Sequence, residues 1–176
     1  MRNLIKRNLL LFFRDKGSVF FSLLGVILII ALYVLFLGDM MVKGMGDLPG
    51  VRFLMDSWIM AGLLAVTPVT TSLGAMATII EDKKYGMYRD FAASPIKRST
   101  IAGGYILSGF LVSLILTLLT FLLAEGYIVL YGGELLPIGA ALKVLALILF
   151  TTASSSVMMF YLVSWFKSSN AFSAAS

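Results

Sequence analysis

The sequence contains no cysteine and no histidine, and only 13% of its 176 residues are charged. The first absence removes disulfides, thiolate metal sites and thiol nucleophiles. The second removes imidazole ligands and the side chain that ordinarily shuttles protons near neutral pH. No G-x-x-x-x-G-K-[ST] phosphate loop occurs either, so the chain is not itself an ATPase of that kind. The scarcity of charge also excludes an ordinary soluble surface. Soluble globular domains carry about 25% charged and roughly 45–50% apolar residues, whereas here the hydrophobic share is 60%.

What is present is long uncharged runs. Ser18 to Leu37 (18–37) is twenty residues without a charge, about 30 Å of helix at about 1.5 Å per residue, enough to cross a bilayer once. Further uncharged runs cover 57–80, 101–124 and 144–166. The expected fold is therefore all-α: a polytopic membrane bundle of four transmembrane helices, preceded by an interfacial helix over 1–17 and interrupted by a cytoplasmic segment over 81–100.

Lys and Arg retained beside span ends set the orientation. Residues 1–17 hold Arg2, Lys6, Arg7, Arg14 and Lys16, and residues 81–100 hold Lys83, Lys84, Arg89, Lys97 and Arg98, with Lys167 in the tail. The opposite side has only Lys43, Arg52 and Lys143, beside Asp39, Asp47, Asp56, Glu125 and Glu134. This asymmetry puts the N-terminus and 81–100 in the cytoplasm. It also accounts for the net charge of +5 without a nucleic-acid partner. A cleavable signal is disfavoured, because the first apolar run exceeds the usual ~7–15 residues and no small-residue cleavage site closes it.

Before the first span, Ile5, Leu9 and Phe12 recur at helical spacing, with Leu4 and Leu11 alongside and Asn3, Lys6, Arg7 and Arg14 on the opposite arc. Such a helix buries its apolar face in the headgroup plane and offers its basic face to anionic lipid or a partner; the same charges also serve simply to fix topology. Lys16 and Gly17 form the expected bend, with Ser18 as N-cap. In EDKKYGMYRDFAASPIKRST a short helix is expected, with Tyr85, Tyr88 and Ala92 on one face and Phe91 flanking it. Ser94-Pro95 should stop it and open the next helix as N-cap and first residue. The aromatic and basic side chains suit docking of a soluble domain, and equally suit anchoring at the lipid surface. The acids Glu81, Asp82 and Asp90 have Lys83, Lys84 and Arg89 as ordinary partners.

No span centre carries paired carboxylates or a lysine, which disfavours a proton-coupled pump and a membrane hydrolase. The polar groups at membrane depth are mild. Thr67, Pro68 and Thr71 in the second span are candidates for a pathway or a hinge, since Pro68 removes a helix hydrogen bond; helix packing uses the same residue types and is the more general explanation. Large apolar side chains such as Phe20, Phe21, Phe150 and Met158 suit an amphiphilic substrate or simply lipid.

With these segments in view, the chain resembles the permease subunits of the type-2 ABC exporters. The matching features are RNLLLFFRDKGSVFFSLL before and into the first span, the 81–100 segment that opens on an acid and a glycine and closes on Ser-Pro and basic residues, and a Ser/Thr-containing fourth span. The resemblance implies a bacterial cell-membrane exporter of a hydrophobic or amphiphilic substrate (drug, antibiotic, lipid or glycan-like). It further implies coupling to a separate ATP-binding subunit through Glu81, Lys84, Tyr85, Gly86, Tyr88, Arg89, Phe91, Ser94 and Pro95. ATP and Mg would sit on that subunit, with no cofactor in this chain, and a second permease copy or a homologous permease would face this one. Family units of this kind have six spans, so the four here are expected to be an incomplete set ending at FKSSNAFSAAS. The competing classes are a membrane scaffold without transport and a lipid-modifying enzyme. For the topology, accessible tags placed at Gly46 and Lys84 should label from outside and from inside the cell respectively; Lys84 labelled from outside would overturn the orientation.

Overall fold

The computed structural model describes residues 1–44 and 50–166, apart from the side chain of residue 92. No strand occurs among the described residues. The chain begins with α1 (Arg2–Arg14) and continues with α2 (Lys16–Leu32), a five-residue π-helical turn (Tyr33–Leu37) and α3 (Gly38–Gly44). Then come α4 (Val51–Ala75), α5 (Ala77–Lys84), α6 (Met87–Ala93), α7 (Arg98–Leu130) and α8 (Ile138–Trp165). Four helical stretches are long and apolar enough to cross a membrane: Lys16–Gly44, Val51–Lys84, Arg98–Leu130 and Ile138–Trp165. Gly46 and the final FKSSNAFSAAS residues from 167 onward lie outside the described residues.

Each helix runs beyond its uncharged stretch, because a charged residue ends an apolar run without ending a helix. The 33 residues of α7 measure about 50 Å at about 1.5 Å each, well past a ~30 Å hydrocarbon core. Glu125 therefore lies inside α7, accepting a bond from the Leu136 N–H at 3.2 Å. Asp56, counted from the sequence with the outer loop, is inside α4 and 3% exposed.

Two of the expected caps are displaced. The N-cap of α2 is Asp15, not Ser18: the Asp15 carboxylate accepts from Gly17 N–H at 3.0 Å and from the Ser18 hydroxyl at 2.6 Å. Asp and Ser are comparable N-caps, but here the Ser18 hydroxyl is itself donated to Asp15, and that bond in particular holds Asp15 below its ordinary carboxylate pKa. Nor do Ser94 and Pro95 open α7. The Ser94 hydroxyl is spent on the Phe91 carbonyl at 2.7 Å, closing α6, and α7 begins three residues later after Lys97.

α4, α7 and α8 pack against one another, and α1 lies along α7. That approach needs Gly104, where an added Cβ would sit 2.6 Å from the Leu4 side chain. One apolar cluster joins Met76, Ile79 and Ile80 to Ile101, Tyr105, Met159 and Val163, and another joins Phe12, Ala75, Val112 and Leu116. The helix α4 runs unbroken through Pro68, and the interruption of the second span falls instead at Met76.

At the end of the bundle away from α1, Asp56 is shared by three helical segments. The Tyr33 hydroxyl, carried inward by the π-helical turn, donates to Asp56 Oδ1 at 2.7 Å, and the Tyr127 hydroxyl stands 3.4 Å from the same oxygen. Arg52 Nε lies 3.6 Å from Asp56 Oδ2 while its Nη1 binds Asp39 at 2.7 Å. A third cluster, Val26, Tyr33, Met60, Leu63, Ala124, Tyr127 and Ile128, surrounds this knot. Tyr33→Phe keeps the ring and deletes only the 2.7 Å bond to Asp56; it should cost about 1–2 kcal/mol, read as a lower melting temperature in detergent.

Candidate functional site

The 81–100 segment is built in three steps. The helix α5 carries the second span onward to Lys84; Gly86, at φ +80°, turns the chain through the left-handed region that a residue with a Cβ avoids; and α6 then runs seven residues. Because the turn separates Tyr85 from α6, the expected single face of Tyr85, Tyr88 and Ala92 does not form as one helix. Tyr85 is 68% exposed at the end of α5, and Tyr88 and Arg89 are exposed on α6. Glu81, Lys84 and Pro95 are also exposed, whereas Gly86, Phe91 and Ser94 are half-buried. Phe91 alone of the predicted aromatics turns inward, packing on the cluster around Met76 and Tyr105.

The feature that holds this segment in place was not foreseen. Arg7 was expected on a basic face turned to lipid or a partner, and Asp82 beside Lys83, Lys84 or Arg89. Instead the two meet across 75 positions of sequence: Arg7 Nη1 donates to Asp82 Oδ2 at 2.8 Å and Nη2 to Oδ1 at 2.6 Å, a bidentate pair. Asp82 is 2% exposed, and it also accepts from the Tyr105 hydroxyl of α7 at 2.5 Å. The hydrogen bond to Asp82 is the main reason that Arg7 holds its proton even more firmly than usual.

The network continues into the bundle. Asn8, also buried, accepts from Arg7 at 3.1 Å and donates to Ser108 Oγ at 3.1 Å, and Ser108 donates to the Tyr105 carbonyl. On its other side the Arg7 guanidinium lies 5.5 Å from the centre of the Phe91 ring and 3.3 Å from Met87 Sδ, both on α6. One arginine on α1 thus touches α5 and α6, and through Asp82 it reaches α7. Lys83 turns elsewhere, donating to the Phe166 carbonyl at 3.3 Å. A signal did exist in the sequence: Asn8 falls in the apolar register of Leu4 and Phe12, and Asp82 in that of Ala75 and Ile79. Polar residues set in an apolar stripe ask for buried partners.

Thr67, Pro68 and Thr71 are all buried on α4. Thr67 donates to the Leu63 carbonyl and Thr71 to the Thr67 carbonyl, both at 2.7 Å. From α7, Ser113 Oγ lies 2.9 Å from Thr71 Oγ1 and 3.1 Å from the Pro68 carbonyl. On their other side Thr67 and Thr71 reach an apolar groove of about 650 Å³ between α2 and α4, whose walls include Phe21, Gly25, Trp58 and Gly62. The coupling residues and this trio are well separated in the chain, the first lying at 81–95 and the second within α4. Among the described residues no group of acids, cysteines or histidines could hold a metal ion.

No curated protein and no solved structure matches the chain. The family model for the ABC-2 type transporter, however, matches residues 1–175, nearly the whole sequence and not merely its apolar runs. Taken with four helices long enough to span a bilayer, this makes the chain a multi-pass membrane protein, and it belongs to the ABC-2 type transporter family as the permease part of such a transporter.

Proposed function

We propose that the chain is the permease subunit of an ATP-driven exporter, with its N-terminus in the cytoplasm of a bacterial cell and α6 as the lever pushed by a separate ATP-binding subunit. The observation that carries this is the two-sidedness of α6. Its Met87 and Phe91 side is fastened through Arg7 to α1 and the bundle, while Arg89 is exposed on the opposite side and Tyr88, beside Phe91 on the helix, keeps 40% of its surface exposed. Aromatic and arginine side chains exposed together suit docking, since these types dominate interface energies. A helix fastened to two spans transmits a push; a loose loop would absorb it.

ATP and Mg belong to the partner, and this chain holds no cofactor. Transport would proceed by rigid-body rocking of helix groups between two permease units. The thin packing of the first span leaves room for a second permease copy or a homologous permease, and the groove between α2 and α4, with Phe21 and Trp58 in its wall, suits a hydrophobic or amphiphilic cargo and contact with membrane lipid. The pathway or hinge role of Thr67, Pro68 and Thr71 rests on the place of Thr67 and Thr71 in that groove's wall, with Pro68 buried between them on α4.

Tyr88→Ala and Arg89→Ala should each weaken retention of the ATP-binding subunit by roughly thirtyfold, the lower end of an interface hot spot, and lower efflux by at least as much without changing the melting temperature. Unchanged retention together with unchanged efflux would favour a scaffold. Arg7→Ala strands the buried Asp82 carboxylate and should cost about 3 kcal/mol of stability. Adding Asp82→Asn to it should recover much of that loss in a thermal melt while efflux stays low, because the neutral pair no longer fastens α6.

A further inference from the structure

A second cavity, of about 420 Å³, lies where the first turn of α1, the Phe91 side of α6 and the start of α7 come together; Arg2, Leu4, Arg7, Phe91, Ile96 and Ile101 are among its walls. Its size falls within the ~300–1,000 Å³ usual for small-molecule sites. The walls are mainly apolar, and the charge they carry has one sign. Asp82, the carboxylate bound to Arg7, is buried and already paired. No acid stands in the first turn of α1 or of α7. Arg2 is exposed in the wall, and Lys97 and Arg98 are exposed beside it where α7 begins. Arg7 gives its charge to Asp82, so Arg2 is the side-chain cation in this wall with no ion-pair partner among the described residues, and the Met1 ammonium beside it adds charge of the same sign.

The surroundings identify what can enter. Met1 and Ile96 are about half exposed at the cavity, and Leu10, Leu11 and Phe13 are exposed on the outer side of α1. In a membrane protein an apolar surface of this kind at a helix end is covered by acyl chains. The molecule that reaches this cavity therefore has an apolar tail, and the unpaired cation asks for an anionic head. We propose that the cavity is a binding site for an anionic phospholipid. Its phosphate faces Arg2 in the field of Lys97 and Arg98, and its first methylenes lie against Leu4, Ile96 and Ile101. Basic pockets at helix ends recognise lipid headgroups on these terms. A lipid seated there touches α1, the 94–97 linker and α7 at once, and so braces the end of the bundle that carries α6.

The test uses the whole chain, purified in detergent and titrated separately with phosphatidylglycerol, phosphatidylcholine and inorganic phosphate, with bound lipid read by native mass spectrometry and stability by thermal melting. Phosphatidylglycerol should be retained over phosphatidylcholine and should raise the melting temperature. Arg2→Gln should cut that preference about fivefold, the share one surface cation contributes to anionic-lipid affinity, while Lys16→Gln, outside the cavity, should leave it intact. Thr100→Trp, which fills the space, should abolish retention. Equal retention of the two lipids, or no effect of Arg2→Gln, overturns the site. An equal loss with Lys16→Gln would mark diffuse attraction and overturn it too, and inorganic phosphate stabilising as far as the lipid does would mark a free-anion site instead. No ATP-binding subunit and no transport enter the readout, so its failure is distinct from failure of the exporter reading.

Discussion

The Asp82 carboxylate sets the terms for the end of the bundle that carries α1. Burying a carboxylate costs several kcal/mol unless its charge is paired and its oxygens accept hydrogen bonds. Here both oxygens are used by Arg7, and one also takes the Tyr105 hydroxyl. Each partner comes from a different helix, so the requirement of one side chain dictates where α1 and α7 stand relative to α5. Once Arg7 is fixed in this way, its guanidinium has a defined face, and Phe91 lies on it. The position of α6 is thus a consequence of the pairing at Asp82. Gly104 permits the same arrangement from the backbone side, because Leu4 occupies the space its Cβ would fill.

The opposite end repeats the device with different chemistry. Asp56 is nearly as buried as Asp82, yet its shortest bond is to the hydroxyl of Tyr33, and its arginine stands at 3.6 Å with a closer bond to Asp39. The π-helical turn at Tyr33–Leu37 matters here, since an extra residue in a turn rotates the side chains that follow and re-aims those beside it. The first span is otherwise thinly covered, with only 11% of its most apolar window buried. The tie through Tyr33 therefore carries much of what fixes this span to the second and third.

The spans were legible because a bilayer imposes a length and excludes charge, and both can be counted along a sequence. The short helix before Pro95 was legible at its end, where Ser94-Pro95 stops it locally, but not at its start, where Gly86 breaks the face expected to run from Tyr85 to Ala92. What escaped was everything decided by competition or by distance. Ser18 is a good cap, but Asp15 three residues earlier takes the Gly17 amide and captures the Ser18 hydroxyl as well. Ser94 is a good N-cap for α7, but it is already used as the closing residue of α6. Arg7 and Asp82 each have plausible neighbours in sequence, and nothing local says that they will choose one another. The coupling residues read from family resemblance divide in the structure into an exposed set, with Tyr85, Tyr88 and Arg89, and an inward one, with Phe91; a linear motif does not separate the two.

Between the two charged knots the polar contacts change character. Thr67, Thr71, Thr120 and Thr152 all bond a carbonyl one turn back on their own helix, which satisfies the hydroxyl without tying one helix to another. Crossings are few: Ser113 reaches Thr71 and the Pro68 carbonyl, and Ser156 reaches the Ile106 carbonyl at 2.6 Å. The buried hydroxyls of Ser72 and Thr117 have no hydrogen-bond partner among the described residues. Interhelical hydrogen bonds in membranes average only about 0.6 kcal/mol, so sliding helices past one another at mid-depth breaks little, whereas separating them at either end breaks a buried ionic contact. The helix α8 is the exception, for it joins no ion pair among the described residues and meets α4 and α7 mainly through apolar and small side chains. Charge thus ties α1, α5 and α7 at one end and the first span, α4 and α7 at the other, while α8 is held against α4 and α7 by packing and by the Ser156 hydrogen bond.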